Sequence, residues 1–161
     1  MTLFDVFKKE EDKGTHVVAP ATGMMIPAKD IPDPDFSNET LGQTIGIKTT
    51  ESMIVCPVSG VVEVAFPTGH AFIIKGIDGN HYLVHIGIDT VSLNGMGFKA
   101  FLEQGQVVEA GQRAVLMDLE YVKNAKLDPT TVLIVAEKVS EDFKVQYIDC
   151  KEVEAGDPIS L

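Results

Sequence analysis

The sequence predicts an all-β protein, a sandwich or barrel of short strands, and three observations carry that prediction. Fourteen Gly and eight Pro are scattered along 161 residues rather than run together, which marks many turns between short elements. Between these turns lie eleven short runs with strand composition, a number that suits a sandwich or barrel better than a helical bundle. At 45% hydrophobic residues the chain can bury one sizeable core and is too short for two domains of ordinary size.

Taken in order, residues 1–13 place Leu3, Phe4, Val6 and Phe7 at helical spacing, followed by Lys8-Lys9 and Glu10-Glu11-Asp12. They read as a flexible or weakly amphipathic N-terminal tail, because an isolated helix below about a dozen residues is marginal in water. From residue 14 to 161 the pattern is that of one domain. Strands are predicted over 16–19, 24–28, 44–48, 53–56, 61–66, 71–75, 81–88, 106–108, 114–117, 132–136 and 144–147. Two stretches, 99–104 and 120–126, have helix-forming composition with room for a turn or two each. The segments 57–64 and 105–112 echo one another, each with a turn Gly and alternating Val on one face, as expected of strands that wrap a common core.

Charge and cysteine content narrow the function. Thirteen basic against 24 acidic residues give a net charge of -11, which repels a polyanion and argues against nucleic-acid binding by phosphate neutralisation. Basic proteins or small molecules are the expected partners. Cys56 and Cys150 are the only cysteines and follow no signal peptide, so reduced thiols and a cytoplasmic location are expected. Asn38-Glu39-Thr40 matches a glycosylation acceptor, but no secretory segment gives the match meaning. There is no Gly-Lys-Ser/Thr phosphate loop, no H-E-x-x-H and no G-x-S-x-G, which removes nucleotide hydrolysis and serine-hydrolase chemistry.

What remains is four histidines, His16, His70, His81 and His85, three of them within sixteen residues. Two apolar runs flank the cluster Gly76-Ile77-Asp78-Gly79 and read as an antiparallel hairpin. A turn centred between Ile77 and Asp78 sets His70 opposite His85. A two-residue Asp78-Gly79 turn makes His85 the diagonal neighbour of His70's partner. Both registers bring the imidazoles out on one face with β-carbons about 5 to 8 Å apart, whereas an odd loop would send them to opposite faces. His81 shares the strand and face of His85, but four residues at roughly 3.3 Å each keep it about 13 Å away.

Two neutral imidazoles suit histidyl phosphoryl transfer. With a reference pKa near 6.5, an imidazole offers a lone pair at pH 7 without a separate base. A second ring within reach can donate N–H to the phosphoryl oxygens of a loose, in-line transition state. Thr68, two residues from His70, is placed to fix that ring's tautomer through its hydroxyl. Phe66, Leu83, Val91 and Phe98 are apolar neighbours that would limit water access to a hydrolysable N–P bond.

The block His85-Ile86-Gly87-Ile88-Asp89-Thr90-Val91, with Tyr82-Leu83-Val84 before it and Leu93-Asn94-Gly95-Met96-Gly97-Phe98 after it, closely resembles the signature of glucose-type IIA proteins of the bacterial sugar phosphotransferase system. Thr68-Gly69-His70-Ala71-Phe72 resembles that family's second histidine block. The likeness runs from about residue 18 to the C-terminus, through Ala19-Pro20, Ile31-Pro32-Asp33 with Phe36, Cys56-Pro57-Val58-Ser59-Gly60, and the region 128–135. The resemblance implies an antiparallel β-sandwich with Greek-key and jelly-roll connections. It implies a phosphocarrier that accepts a phosphoryl group on His85 from the phosphohistidine of HPr and donates it to a cysteine of the IIB domain of a membrane sugar permease. His70 and Thr68 match the supporting residues. Asp33 and Asp89 match acidic positions at the docking rim, with Phe36, Phe66, Leu83 and Val91 as further docking candidates. The Leu3-Phe4-Asp5 start resembles the tail with which some members approach the membrane. Asn94 and Met96 stand where the family often has Lys and Glu, and Gly42-Gln43-Thr44 where it often has Gly-Asp-Gly. These departures bear on sugar branch and regulation more than on the chemistry.

Two rival readings are weaker. A biotinyl or lipoyl module needs a lysine at the tip of a tight hairpin, and the lysines nearest 109–117, Lys123 and Lys126, fall in a helix-like stretch. A zinc hydrolase using His70 and His85 lacks a third ligand and a general base at fixed spacing. No cofactor is expected, and zinc at the pair would be incidental or shared with a partner protein.

Overall fold

The computed structural model describes residues 16–161, so the predicted tail at 1–13 lies outside the described residues. Among the described residues eleven strands form: β1 (Gly23–Pro27), β2 (Gln43–Thr49), β3 (Met53–Val55), β4 (Gly60–Ala65), β5 (Ala71–Gly76), β6 (His81–Ile86), β7 (Phe98–Ala100), β8 (Val107–Val108), β9 (Arg113–Met117), β10 (Thr131–Glu137) and β11 (Glu152–Val153). Two short helices, α1 (Pro34–Ser37) and α2 (Leu119–Asn124), and 3-10 turns at Ala28–Asp30 and Thr90–Leu93 complete the regular structure.

Every strand pairing is antiparallel. An eight-stranded sheet runs β11-β1-β2-β10-β6-β5-β4-β8, and a three-stranded sheet runs β3-β9-β7. The meander β4-β5-β6, with β8 returning beside β4, has Greek-key order. The protein is thus all-β, as the turn-rich sequence predicts. The two echoing segments pair with each other, Gly60 opposite Val108 and Val61 opposite Val107.

The main core lies between the sheets and draws Phe72, Ile74, Tyr82, Val84 and Leu133 from the large sheet and Ile54, Val115 and Met117 from the small one. Strand β6 alternates strictly. Tyr82, Val84 and Ile86 are buried in that core, while His81, Leu83 and His85 are half-buried on the opposite face. That outer face carries a second, smaller apolar cluster of Ile26, Ile31, Phe36, Ile88, Val132 and Ile134, with Leu83 against it. Helix α1 supplies Phe36 to it. Asp33 starts the helix by accepting hydrogen bonds from the Asp35 and Phe36 amides, and Pro34 fills the first helical position.

Some predicted elements are not those observed. Segment 99–104 is not helical, because Phe98–Ala100 pairs with β9 as an edge strand, Phe98 opposite Met117, and that ladder overrides the local helix propensity. Segments 16–19 and 144–147 provide only isolated bridges, Val18 with Pro158 and Tyr147 with Ser160. Helix α1 and strands β7 and β11 are additional to the prediction.

The β5–β6 hairpin has neither of the registers weighed from sequence. Ala71, not His70, lies opposite His85, and Lys75 lies opposite His81. The loop is the odd one, three residues long over 77–79. Gly79 sits at φ +87° and donates to Gly76 O at 2.9 Å, and Gly76 N donates to Asn80 O at 2.8 Å. This is a three-residue turn closed by a left-handed glycine. Asp78 stiffens it by accepting from the Asn80 amide at 2.9 Å and the Tyr82 hydroxyl at 2.8 Å.

Candidate functional site

In an odd register strict alternation would send the His70 ring to the inner face with Phe72. It does not go there, because regular pairing stops at Ala71 and the chain turns at 66–69, where Gly69 N donates to Phe66 O at 2.8 Å. His70 still accepts through its carbonyl from Ile86 N at 2.7 Å. Freed from the pleat, its ring meets His85 edge-on, the centroids 5.2 Å apart and the planes at 81°. The two imidazoles therefore come together by a strand-end irregularity rather than by cross-strand pairing.

Each ring has one nitrogen engaged. His85 Nδ1 lies 2.8 Å from the Gly87 carbonyl oxygen. A carbonyl can only accept, so Nδ1 carries the proton and Nε2 keeps the lone pair. His70 Nδ1 is hydrogen-bonded to the Thr68 hydroxyl, the contact expected from sequence. Phe36 packs against the His85 ring with centroids 5.1 Å apart, and Phe66 against His70 at 5.5 Å.

Burial lowers the pKa of both histidines. For His70 the neighbouring His85 adds to the effect. For His85 the hydrogen bond to Gly87 and the charges of Asp33 and Asp89 oppose it without overcoming it. Both rings are thus neutral near pH 7, and His85 keeps one uncommitted lone pair, on Nε2, beside a second ring.

The remaining candidates differ in position. Asp89 is exposed and adopts a left-handed backbone at φ 60°. Asp33 is half-buried, with one carboxylate oxygen committed to the α1 amides. Val91 and Phe66 are exposed at 52% and 36%. Leu83 is half-buried in the outer cluster. Phe36, only 7% exposed, is a wall behind His85 more than a rim residue. His81 stands apart from the pair, its Nδ1 2.8 Å from Glu63 Oε2 and 3.7 Å from Glu137 Oε2. Among the described residues no group of three His, Cys, Asp or Glu side chains is arranged to hold a metal ion. Nor does any described helix have the length and apolarity to cross a membrane.

Gly87 is the residue whose structural role the sequence reading did not isolate, although it stands inside the His85 block. Its φ of +81° turns its carbonyl back to His85, and a β-carbon there would lie 2.3 Å from Thr90 Cγ2. A glycine two residues after a histidine at a strand end was the available signal.

An antiparallel sandwich offering one imidazole nitrogen beside a second ring has a structural relative among solved proteins: the chain superposes on the glucose permease IIA from Mycoplasma capricolum with a TM-score of 0.84 and 34% identity, covering 90% of this chain and 93% of that one. It is 38% identical over 141 residues to the PTS system glucose-specific EIIA component of Staphylococcus epidermidis, covering 87% of this chain and 85% of the relative. The corresponding protein of Oceanobacillus iheyensis is 34% identical over 155 residues, covering 96% and 93%. Residues 15–141 match the family model described as phosphoenolpyruvate-dependent sugar phosphotransferase system, EIIA 1. The chain belongs to this family, and is a component of the sugar phosphotransferase system.

Proposed function

We propose that the chain is a phosphocarrier that takes a phosphoryl group from the phosphohistidine of HPr onto His85 and passes it to a cysteine of the IIB domain of a sugar permease. The observation that carries this reading is the committed Nδ1 of His85, which leaves Nε2 as an oriented, neutral nucleophile beside His70. In the first step the N–P bond of the carrier breaks as the Nε2–P bond forms, and the carrier's imidazole leaves with the electron pair. Thr68 donates its hydroxyl hydrogen to His70 Nδ1, so His70 Nε2 bears the proton and donates it as a hydrogen bond to the phosphoryl oxygens. In the second step phosphorus passes to the thiolate sulfur and His85 regains its lone pair.

Asp33, Asp89, Phe66, Leu83 and Val91 form the proposed docking surface around the pair, acidic at two points and otherwise apolar, with Phe36 as the wall behind His85. A basic carrier face fits it, so raising salt slows association, because screening acts over about 8 Å at physiological ionic strength. No cofactor takes part in this scheme. The relatives are named glucose-specific, which makes a glucose permease the first IIB domain to assay.

The test is incubation with phosphoenolpyruvate, enzyme I and HPr. One added phosphate is expected, labile in acid, stable in alkali and mapped to His85. Phosphate on Ser59, Ser92 or His70, or none at all, overturns the proposal.

A further inference from the structure

The lone pair of His85 is aimed by a backbone carbonyl, so whatever holds that carbonyl governs the nucleophile. Gly87 O accepts from His85 Nδ1 at 2.8 Å. On its other side Gly87 N donates to Thr130 O at 2.9 Å, and the next amide, Ile88 N, donates to Asp128 O at 2.8 Å. The loop that carries the carbonyl therefore hangs by two consecutive amides from residues 128–130, the turn leading into β10. That turn is closed by one carboxylate. Asp128 Oδ1 accepts from the Thr130 amide at 2.8 Å and from the Thr130 hydroxyl at 2.6 Å.

Opposite this anchor the loop is confined by Thr90. Thr90 is buried, and its hydroxyl donates to Ile86 O at 2.5 Å. A β-carbon on Gly87 would meet Thr90 Cγ2 at 2.3 Å and Asp128 O at 3.3 Å. The peptide after His85 is wedged between Thr90 and the 128–130 turn, and little room is left for it to rotate.

We propose that Asp128 is a positioning residue for His85: by locking Thr130 it holds the Gly87 peptide, and the Gly87 carbonyl in turn fixes the His85 tautomer and ring direction. The proposal rests on the phosphocarrier reading for its kinetic part only. Asp128 is exposed and touches neither imidazole, so its effect on the nucleophile passes wholly through the turn. Its loss loosens the Gly87 peptide, lets the His85 ring sample the Nδ1 lone-pair tautomer and misaims Nε2. Small misplacements of a reacting atom cost rate steeply, and loss of an orienting partner on a histidine commonly costs tenfold or more.

The experiment compares wild type, Asp128→Ala and Asp128→Asn by imidazole 15N NMR at neutral pH and by the rate of phosphoryl acceptance from the phosphohistidine donor. In the wild type His85 is expected as the single Nδ1–H tautomer. In Asp128→Ala its 15N shifts move toward a tautomer mixture, and the maximal rate of acceptance falls on the order of tenfold with the donor's KM little changed. Asp128→Asn, whose amide oxygen can still accept from Thr130, restores most of both. If Asp128→Ala does not fold, Asp128→Ser takes its place, since its hydroxyl oxygen stands one bond closer to the backbone than Asp128 Oδ1 and reaches the two Thr130 donors less well, and an intermediate tautomer shift is expected. Wild-type 15N shifts for His85 in a folded Ala or Ser variant overturn the proposal, as does an Asn variant no better than Ala. If no protein accepts phosphate, the phosphocarrier reading fails, while the tautomer comparison still decides the role of Asp128.

Discussion

Strand β6 carries two histidines on one face, and the contrast between its ends is instructive. His81 at one end sits near two glutamates, one from the adjacent strand β10 and one from β4, which lies beyond β5. Glu63 is reached through an irregularity in the β4–β5 pairing between Val62 and Val64, and Glu137 through one in the β10–β6 pairing between Val135 and Glu137. His85 at the other end sits among Phe36, His70 and a backbone carbonyl, with Asp33 and Asp89 acting only at a distance. Residue type, strand and face are the same. The neighbours differ: two glutamates flank one ring, while the burial of the other disfavours a proton on it. A histidine's chemistry is therefore set by what the adjacent strands and loops bring to it.

Removing His85 breaks this comparison most completely. His85→Ala abolishes phosphorylation, measured as phosphate incorporated per chain, since no other side chain can present a lone pair at that position. Any residual stoichiometric incorporation means the nucleophile lies elsewhere.

His70→Gln comes next. Gln keeps a donor of similar reach, so the variant still charges, but onward transfer to the IIB cysteine drops by about a hundredfold, the order of effect of losing one oriented donor. Single-turnover discharge of the phosphorylated variant measures this, and a discharge rate equal to wild type removes His70 from the transition state.

The pH dependence sharpens the contrast. Because burial lowers the His85 pKa, the midpoint of the acid limb of acceptance lies below the ordinary 6.5. Asp33 and Asp89 favour the protonated ring, so Asp33→Asn with Asp89→Asn moves the acid limb to still lower pH. A rate-against-pH profile of both proteins checks the direction. Folding stability follows the same sign. Between the lowered folded values and 6.5 the unfolded chain binds more protons at His70 and His85, so stability rises with pH across that window and falls on acidification.

His81→Ala has the smallest expected effect. Both transfer rates remain within about twofold, and stability changes by less than about 1 kcal/mol, the scale of partly exposed polar contacts. Thermal denaturation and the same transfer assays read it. Damage equal to that of His70→Gln would erase the distinction between the two ends of β6.

The sequence made the alternating strands legible because each buried face repeats every second residue, as in Tyr82, Val84 and Ile86. It made the His85 block legible because histidine, glycine and aspartate stand there in a short fixed order. The hairpin register was not legible from Asp78-Gly79 alone, since the same pair serves two- and three-residue loops and the parity is decided by which residue takes the left-handed conformation. The meeting of His70 with His85 was therefore foreseen through the wrong geometry. Segment 99–104 was misread because its composition favours helix, whereas its first residues complete the small sheet against β9. Helix α1 had a readable signal in Asp33-Pro34, an N-cap followed by proline. Strand β11, two residues long, had none.

The commitment of one His85 nitrogen to Gly87 also has a kinetic meaning. A ring with a single free nitrogen holds one cargo and presents it in one direction, so on the phosphocarrier reading the donor and the acceptor must take turns at the same opening. Traffic through the chain then follows a substituted-enzyme pattern, with parallel lines in a double-reciprocal plot. Each partner in excess blocks the other, and throughput at saturation is governed by how fast one visitor departs before the next can arrive.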